Sequence, residues 1–187
     1  MKTDKTLHVV SFSGSLRQAS YNTALLRVAA ALAPSDMTLE ILDLAPLPMF
    51  NEDIEKPFPD AVAAFRARLA QADAVLIATP EYNSSVSGAL KNALDWASRA
   101  PEPPLKEKPV AILGASTGNF GTARVQLHLR QILTHLGALP LGKPEVLIAR
   151  AEQAFDADGN LVDAAARGFL QDLLNALARW VRRVQQD

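Results

Sequence analysis

The sequence predicts an α/β fold, a parallel sheet with helices packed on both faces, and three observations carry that prediction. Short, almost wholly apolar runs recur along the chain, as at residues 74–79 and 109–115. Strands buried on both faces read this way, because neither side of the pleat meets water. Between such runs lie segments with apolar residues at 3.6-residue spacing, the pattern of one-sided helices. Each run is followed by such a helix, or by a connection long enough to hold one, as parallel strands joined by right-handed crossovers require.

The elements follow in order. A β-branched strand over residues 7–12 comes first, and residues 23–32 then read as a helix with Ala24, Leu25, Val28, Ala29 and Leu32 on one face. A stop at Pro34, Ser35 and Asp36 precedes a second strand at 38–42. Pro59 suits the first turn of a helix over 60–71, where its missing N–H would have no partner in any case. The buried strand at 74–79 leads to a helix at 87–99, the strand at 109–115 to a helix at 122–136 that stops at Gly137. A fifth strand at 145–149 and a closing helix at 164–184 complete the pattern, the latter with Phe169, Leu170, Leu173, Leu174, Leu177, Val181 and Val184 on its inner side. The expected architecture is a flavodoxin-like three-layer sandwich: one domain over residues 1–187, with a five-stranded parallel sheet in order 2-1-3-4-5.

Composition removes several function classes. A chain of 187 residues takes roughly 70% of its unfolded surface out of water on folding, so its core needs no covalent or metal staple. Cysteine is absent, which excludes thiol nucleophiles, thiolate metal sites and Cys-ligated iron–sulfur clusters, and agrees with a reducing, cytoplasmic location. Nineteen Lys and Arg are interspersed with twenty Asp and Glu, for a net charge of −1, so no nucleic-acid partner is expected. Arg179, Arg182 and Arg183 gather only where cations offset the dipole of the closing helix. Residues 1–6 carry two lysines but lead into an apolar run too short for a signal core or a bilayer span, so no membrane partner is expected. His8, His128 and His135 have no carboxylate at ligand spacing, and no metal site is expected.

In sheets of this kind ligands bind beyond the carboxyl ends of the strands, near the reversal of strand order between strands 1 and 3. Three polar loops fall there. The first runs from Ser13 through Gly14, Ser15, Leu16, Arg17, Gln18, Ala19, Ser20, Tyr21 and Asn22 to Thr23. Hydroxyls and a guanidinium thus surround a helix start, whose free N–H groups and positive dipole end favour a phosphate. Serine and asparagine at a helix start also serve as plain caps, but capping needs no cation, and Arg17 tips the reading toward an anion site. The second loop, Thr79 to Gly88, contains Pro80, Glu81, Tyr82, Asn83 and Ser84, of which Tyr82 and Asn83 taken alone also suit an ordinary turn; the third, Ala115 to Thr122, contains Ser116, Gly118 and Gly121. A phosphate pocket beside a flat slot between two loops suits a planar phosphorylated cofactor with the shape of flavin mononucleotide. Leu94 and Trp96 read as core or subunit-interface residues.

The motifs Gly14-Ser15-Leu16-Arg17-x-x-Ser20-x-Asn22, Pro80-Glu81-Tyr82-Asn83-x-Ser85 and Gly88-x-Leu90-Lys91-Asn92-Ala93-Leu94-Asp95-Trp96 closely resemble the NAD(P)H-dependent FMN reductase family, which includes bacterial quinone and chromate reductases. The likeness extends to Ala123-Arg124 and to the run from His128 to Leu133. Thr122 departs from the family pattern where a second glycine often follows Gly121, and Leu127 where relatives often carry tyrosine.

The resemblance implies that Ser15, Arg17, Ser20, Asn22 and Thr23 bind the FMN phosphate. Pro80, Glu81, Tyr82, Asn83 and Ser84 would run along the isoalloxazine edge, mainly through backbone groups, with Ser116 and Gly118 on its other side. It implies no catalytic side chain, since the chemistry belongs to FMN. Hydride would come from NADPH or NADH, and electrons would pass by a ping-pong mechanism to a small-molecule acceptor such as a quinone, a flavin, an azo compound or an oxidised metal ion. The N-terminus of the helix after Gly118 is expected to stabilise negative charge on the reduced ring. A homodimer or homotetramer is implied as well. A non-enzymatic flavodoxin-like electron carrier and a sensor of another phosphorylated ligand stay open as alternatives.

Overall fold

A computed structural model describes residues 6–186; residues 1–5, with both N-terminal lysines, and Asp187 lie outside the described residues. The chain runs β1 (Leu7–Ser13), α1 (Tyr21–Ala31), β2 (Met37–Leu42), α2 (Asp60–Gln71), β3 (Ala74–Ala78), α3 (Gly88–Ala97), β4 (Pro109–Ala115), α4 (Ala123–His135), β5 (Leu139–Pro140), β6 (Val146–Ile148), α5 (Ala151–Ala154) and α6 (Ala164–Val184), with one 3-10 turn at Glu52–Ile54. The sheet order is β2-β1-β3-β4-β5, with β6 also on β4, and every pair is parallel. This is the flavodoxin-like α/β architecture.

The sheet has six strands rather than five. Its outer position beside β4 is shared by two short strands: β5 pairs with Pro109 and Val110, and β6 pairs with Leu113, Gly114 and Ala115. Pro140 has no N–H for a ladder and Pro144 interrupts the return, so one continuous strand cannot form there. The four residues of α5 are too few to display a helical period, which is why the sequence pattern passes over it.

Alternation in β1 divides the core. Leu7 and Val9 face α1 and α6, where Leu25, Leu76, Leu113, Leu170 and Leu174 are buried. Val10 and Phe12 face the opposite layer with Phe65, Ile77, Leu90, Ile112 and Leu129. Each of the five residues of β3 is buried, as expected of a central parallel strand. Trp96 is a core residue, fully buried and hydrogen-bonded from its indole N–H to Pro48 O at 2.8 Å. Phe169 is the exception on α6: it lies one step of about 100° off the leucine stripe and is 57% exposed. No helix among the described residues is long and apolar enough to cross a membrane.

Candidate functional site

The three loops beyond β1, β3 and β4 meet at one end of the sheet because those strands are neighbours and all point the same way. Gly14 sets how closely the first two approach: a Cβ there would stand 3.0 Å from both Leu90 Cβ and Pro80 Cδ. Ser87 fastens them, its hydroxyl donating to Gly14 O at 2.6 Å while accepting from Leu90 N at the start of α3.

In the first loop much of the polar chemistry is internal. Ser13 Oγ accepts from Ser15 N at 3.1 Å, and Ser20 Oγ caps α1 by accepting from Thr23 N at 3.3 Å. Asn22 is buried, and its side-chain amide pairs with both backbone groups of Ala115, donating to the carbonyl and accepting from the N–H at 2.9 Å each. It therefore mimics a strand neighbour and ties α1 to the end of β4. What remains available to an anion is the first-turn N–H groups of Tyr21 and Asn22, which meet no acceptor among the described residues, together with the hydroxyls of Ser15 and Thr23 and the guanidinium of Arg17. Arg17 is exposed and lies over the Tyr21 ring at 5.5 Å, with no carboxylate paired to it among the described residues. An unneutralised guanidinium beside unpartnered helix N–H groups is the donor set a phosphate requires.

The second loop is a tight hairpin in which Tyr82 and Ser85 exchange backbone hydrogen bonds, leaving Asn83 and Ser84 at φ 50° and 62°. Two successive left-handed residues define this turn; asparagine adopts the conformation readily, serine at a cost of about 1 kcal/mol. The side chain of Glu81 points away from the loop: only 4% exposed, it accepts from Arg124 N and Val125 N at 3.1 Å each and pairs with the Arg124 guanidinium at 2.6 Å. It thus occupies the N-terminus of α4, the feature expected to stabilise a reduced ring. The positive dipole end there already faces a carboxylate, and this expectation is corrected.

In the third loop Ser116 N donates to Ile148 O, and Ser116 Oγ accepts from Gly118 N. Gly118 O in turn accepts from Arg150 N, and Ser116 O from Ala151 N, so α5 backs the loop. This support gave no signal in the sequence. Thr122 is buried, with its hydroxyl accepting from Gln126, and it fits because Gly114 opposite has no side chain: a Cβ there would come within 2.4 Å of Thr122 Oγ1.

Together the loops wall a cleft of about 390 Å³, lined by Ser15, Arg17, Ser20 and Asn22 from the first, Pro80, Glu81 and Tyr82 from the second and Ser116 from the third. Thr23 faces an adjoining hollow instead, while Asn83, Ser84 and Gly118 lie outside the cleft wall, two at the hairpin tip and one within the third loop. A small phosphate-bearing planar ligand fits this combination of donors and loop edges. No group of three or more potential metal ligands occurs among the described residues.

The model of the NADPH-dependent FMN reductase family matches residues 7–153. An NAD(P)H-dependent FMN reductase of Pseudomonas aeruginosa is 54% identical over 180 residues, spanning 96% of this chain and 97% of that protein. A quinone reductase of Escherichia coli is 41% identical over 183 residues, spanning 96% and 97%. Among solved structures, the flavoenzyme NAD(P)H:(acceptor) oxidoreductase FerB from Paracoccus denitrificans superposes with a TM-score of 0.87 at 36% identity, over 95% of this chain and 98% of that one.

Proposed function

The chain belongs to the NADPH-dependent FMN reductase family, and from that premise we propose that it is an NAD(P)H-dependent oxidoreductase of quinones and similar small acceptors, working as a single domain in the cytoplasm. Its cofactor is FMN and its reductant NADPH or NADH. The observation that carries the reading is the convergence, in one cleft, of Arg17 and the N–H groups of Tyr21 and Asn22, none of which has a protein acceptor or carboxylate partner among the described residues, with the edges of the two loops beyond β3 and β4.

In this reading Arg17 holds the FMN phosphate, with Ser15 and the backbone of Asn22 as further donors and Ser20 fixing the helix start they share, while the Thr23 hydroxyl reaches it only from the side of the adjoining hollow. Pro80, Glu81 and Tyr82 border one edge of the ring through backbone groups, with Asn83 and Ser84 shaping the hairpin tip beyond them, and Ser116 borders the other edge, with Gly118 supporting its loop from behind. Bound FMN supplies hydride acceptance from NAD(P)H and onward transfer to the acceptor in alternating half-reactions, the basis of ping-pong kinetics. The chain's own part is to anchor the phosphate, orient the ring and leave one face open. The acceptors in this reading are quinones, flavins, azo compounds and oxidised metal species such as chromate.

We expect the purified protein to be yellow and to oxidise NAD(P)H steadily with a quinone, giving parallel lines in double-reciprocal plots. A colourless protein that takes up no FMN refutes the proposal. Assembly as a homodimer or homotetramer is part of it, tested by light scattering at micromolar concentration.

A further inference from the structure

The cleft does not end at the phosphate donors. On the far side of Arg17 a second hollow of about 290 Å³ opens between α1 and the end of β2, and it shares Ser15 and Arg17 with the first. Its chemistry is mixed. Arg27, exposed on α1, brings a second guanidinium with no ion-pair partner among the described residues. Leu16 and Ile41 supply apolar surface, 57% and 38% exposed respectively. Asp43 stands directly after β2; one of its carboxylate oxygens accepts from Ala45 N at 2.9 Å, and the other has no partner among the described residues.

Asp43 is also placed by topology. β1 and β2 are parallel neighbours with Phe12 opposite Leu42, so the carboxylate stands beside the first loop at the ligand end of the sheet. In β-α-β units that bind dinucleotides, an acidic residue at this point accepts hydrogen bonds from ribose hydroxyls while the phosphates lie at the helix start. A hollow that offers guanidiniums, a free carboxylate oxygen and apolar walls matches a nucleotide piece by piece: phosphate, ribose diol and base.

We propose that this second hollow takes the adenosine monophosphate arm of a flavin adenine dinucleotide, so that the protein holds FAD as well as FMN. The inference rests on the reading that the FMN phosphate lies at Arg17. A pyrophosphate extends the same ligand from that point past Arg17, its second phosphate meets Arg27, its ribose diol donates to Asp43 and its adenine lies against Leu16 and Ile41.

Titration calorimetry of the flavin-free full chain with FMN and with FAD tests this, repeated with Arg27→Ala and with Asp43→Asn. Both flavins should bind the wild type. Each variant should weaken FAD by about tenfold or more and leave FMN within about twofold. FAD that fails to bind where FMN does, or variants that move the two flavins alike or move neither, overturns the proposal. If instead the variants raise the KM for NADPH and leave FAD affinity unchanged, the hollow serves the reductant, and the proposal falls. Should neither flavin bind, the function proposed above falls first.

Discussion

Arg17 and Asn22 stand in one loop yet do different work, and single substitutions separate them. Removing the Arg17 guanidinium deletes an exposed cation and no core volume. Arg17→Ala should therefore weaken FMN binding by about 100-fold, the loss of roughly 3 kcal/mol of charge-assisted hydrogen bonding, with the urea midpoint unchanged. Asn22→Ala instead strips the partners from both buried backbone groups of Ala115. At about 1–3 kcal/mol for each of the two orphaned groups, urea denaturation should show a loss of about 2–6 kcal/mol. The sequence marked both residues as phosphate ligands. Nothing in it revealed that the Asn22 amide spans 93 positions to reach β4, because such a pairing exists only once the sheet has formed. Ser20 likewise reads as a binding hydroxyl or as a cap, and in the structure its oxygen caps.

Loops gain their rigidity at the scale of elements, by using one another's termini. Glu81 belongs to the loop after β3, yet it satisfies the first N–H groups of α4, whose own N-cap residue, Thr122, makes no side-chain capping bond. Glu81→Ala should cost about 1–2 kcal/mol of stability, measured by chemical denaturation, and should also weaken FMN by freeing the hairpin beside the cleft. Helix and strand positions were largely legible: α2 and β4 begin at or beside Pro59 and Pro109, and α6 runs over the span its apolar periodicity marks. The missed pieces were short. A two-residue strand and a four-residue helix carry too little pattern to stand out, and their positions are dictated by β4 and by the third loop rather than by their own sequences.

For the molecule as a whole, the site end of the sheet is rich in neutral hydrogen-bonding groups, while a charged cluster on the β2 side bears on acid stability. Glu40 on β2 accepts from Arg68 of α2 and meets His8 of β1. Its carboxyl is held below the ordinary glutamate range chiefly by the Arg68 hydrogen bond, with burial opposing and His8 assisting. Because the folded form holds its proton less tightly than the unfolded chain, this contribution is complete at neutral pH. It disappears as pH falls below about 4.3, through the lowered folded-state value. Half of the Arg68 side chain is exposed and solvent screens the pair, so the effect is small, about 0.5 kcal/mol. Denaturant midpoints measured from pH 7 to pH 3 should fall less steeply for Glu40→Gln than for the wild type. Fold class and the location of the cleft could be read from the chain, because both follow from local patterning plus the rule that parallel sheets bind at their carboxyl ends, whereas the strand order comes with the flavodoxin-like class rather than from any local pattern.

The divided outer position of the sheet has a further result. Two paired residues, a proline-broken interval and three more offer no uninterrupted row of amides and carbonyls for a foreign strand to join. Neighbouring molecules must therefore meet this flank through side chains, which leaves amyloid-like stacking no template on that margin.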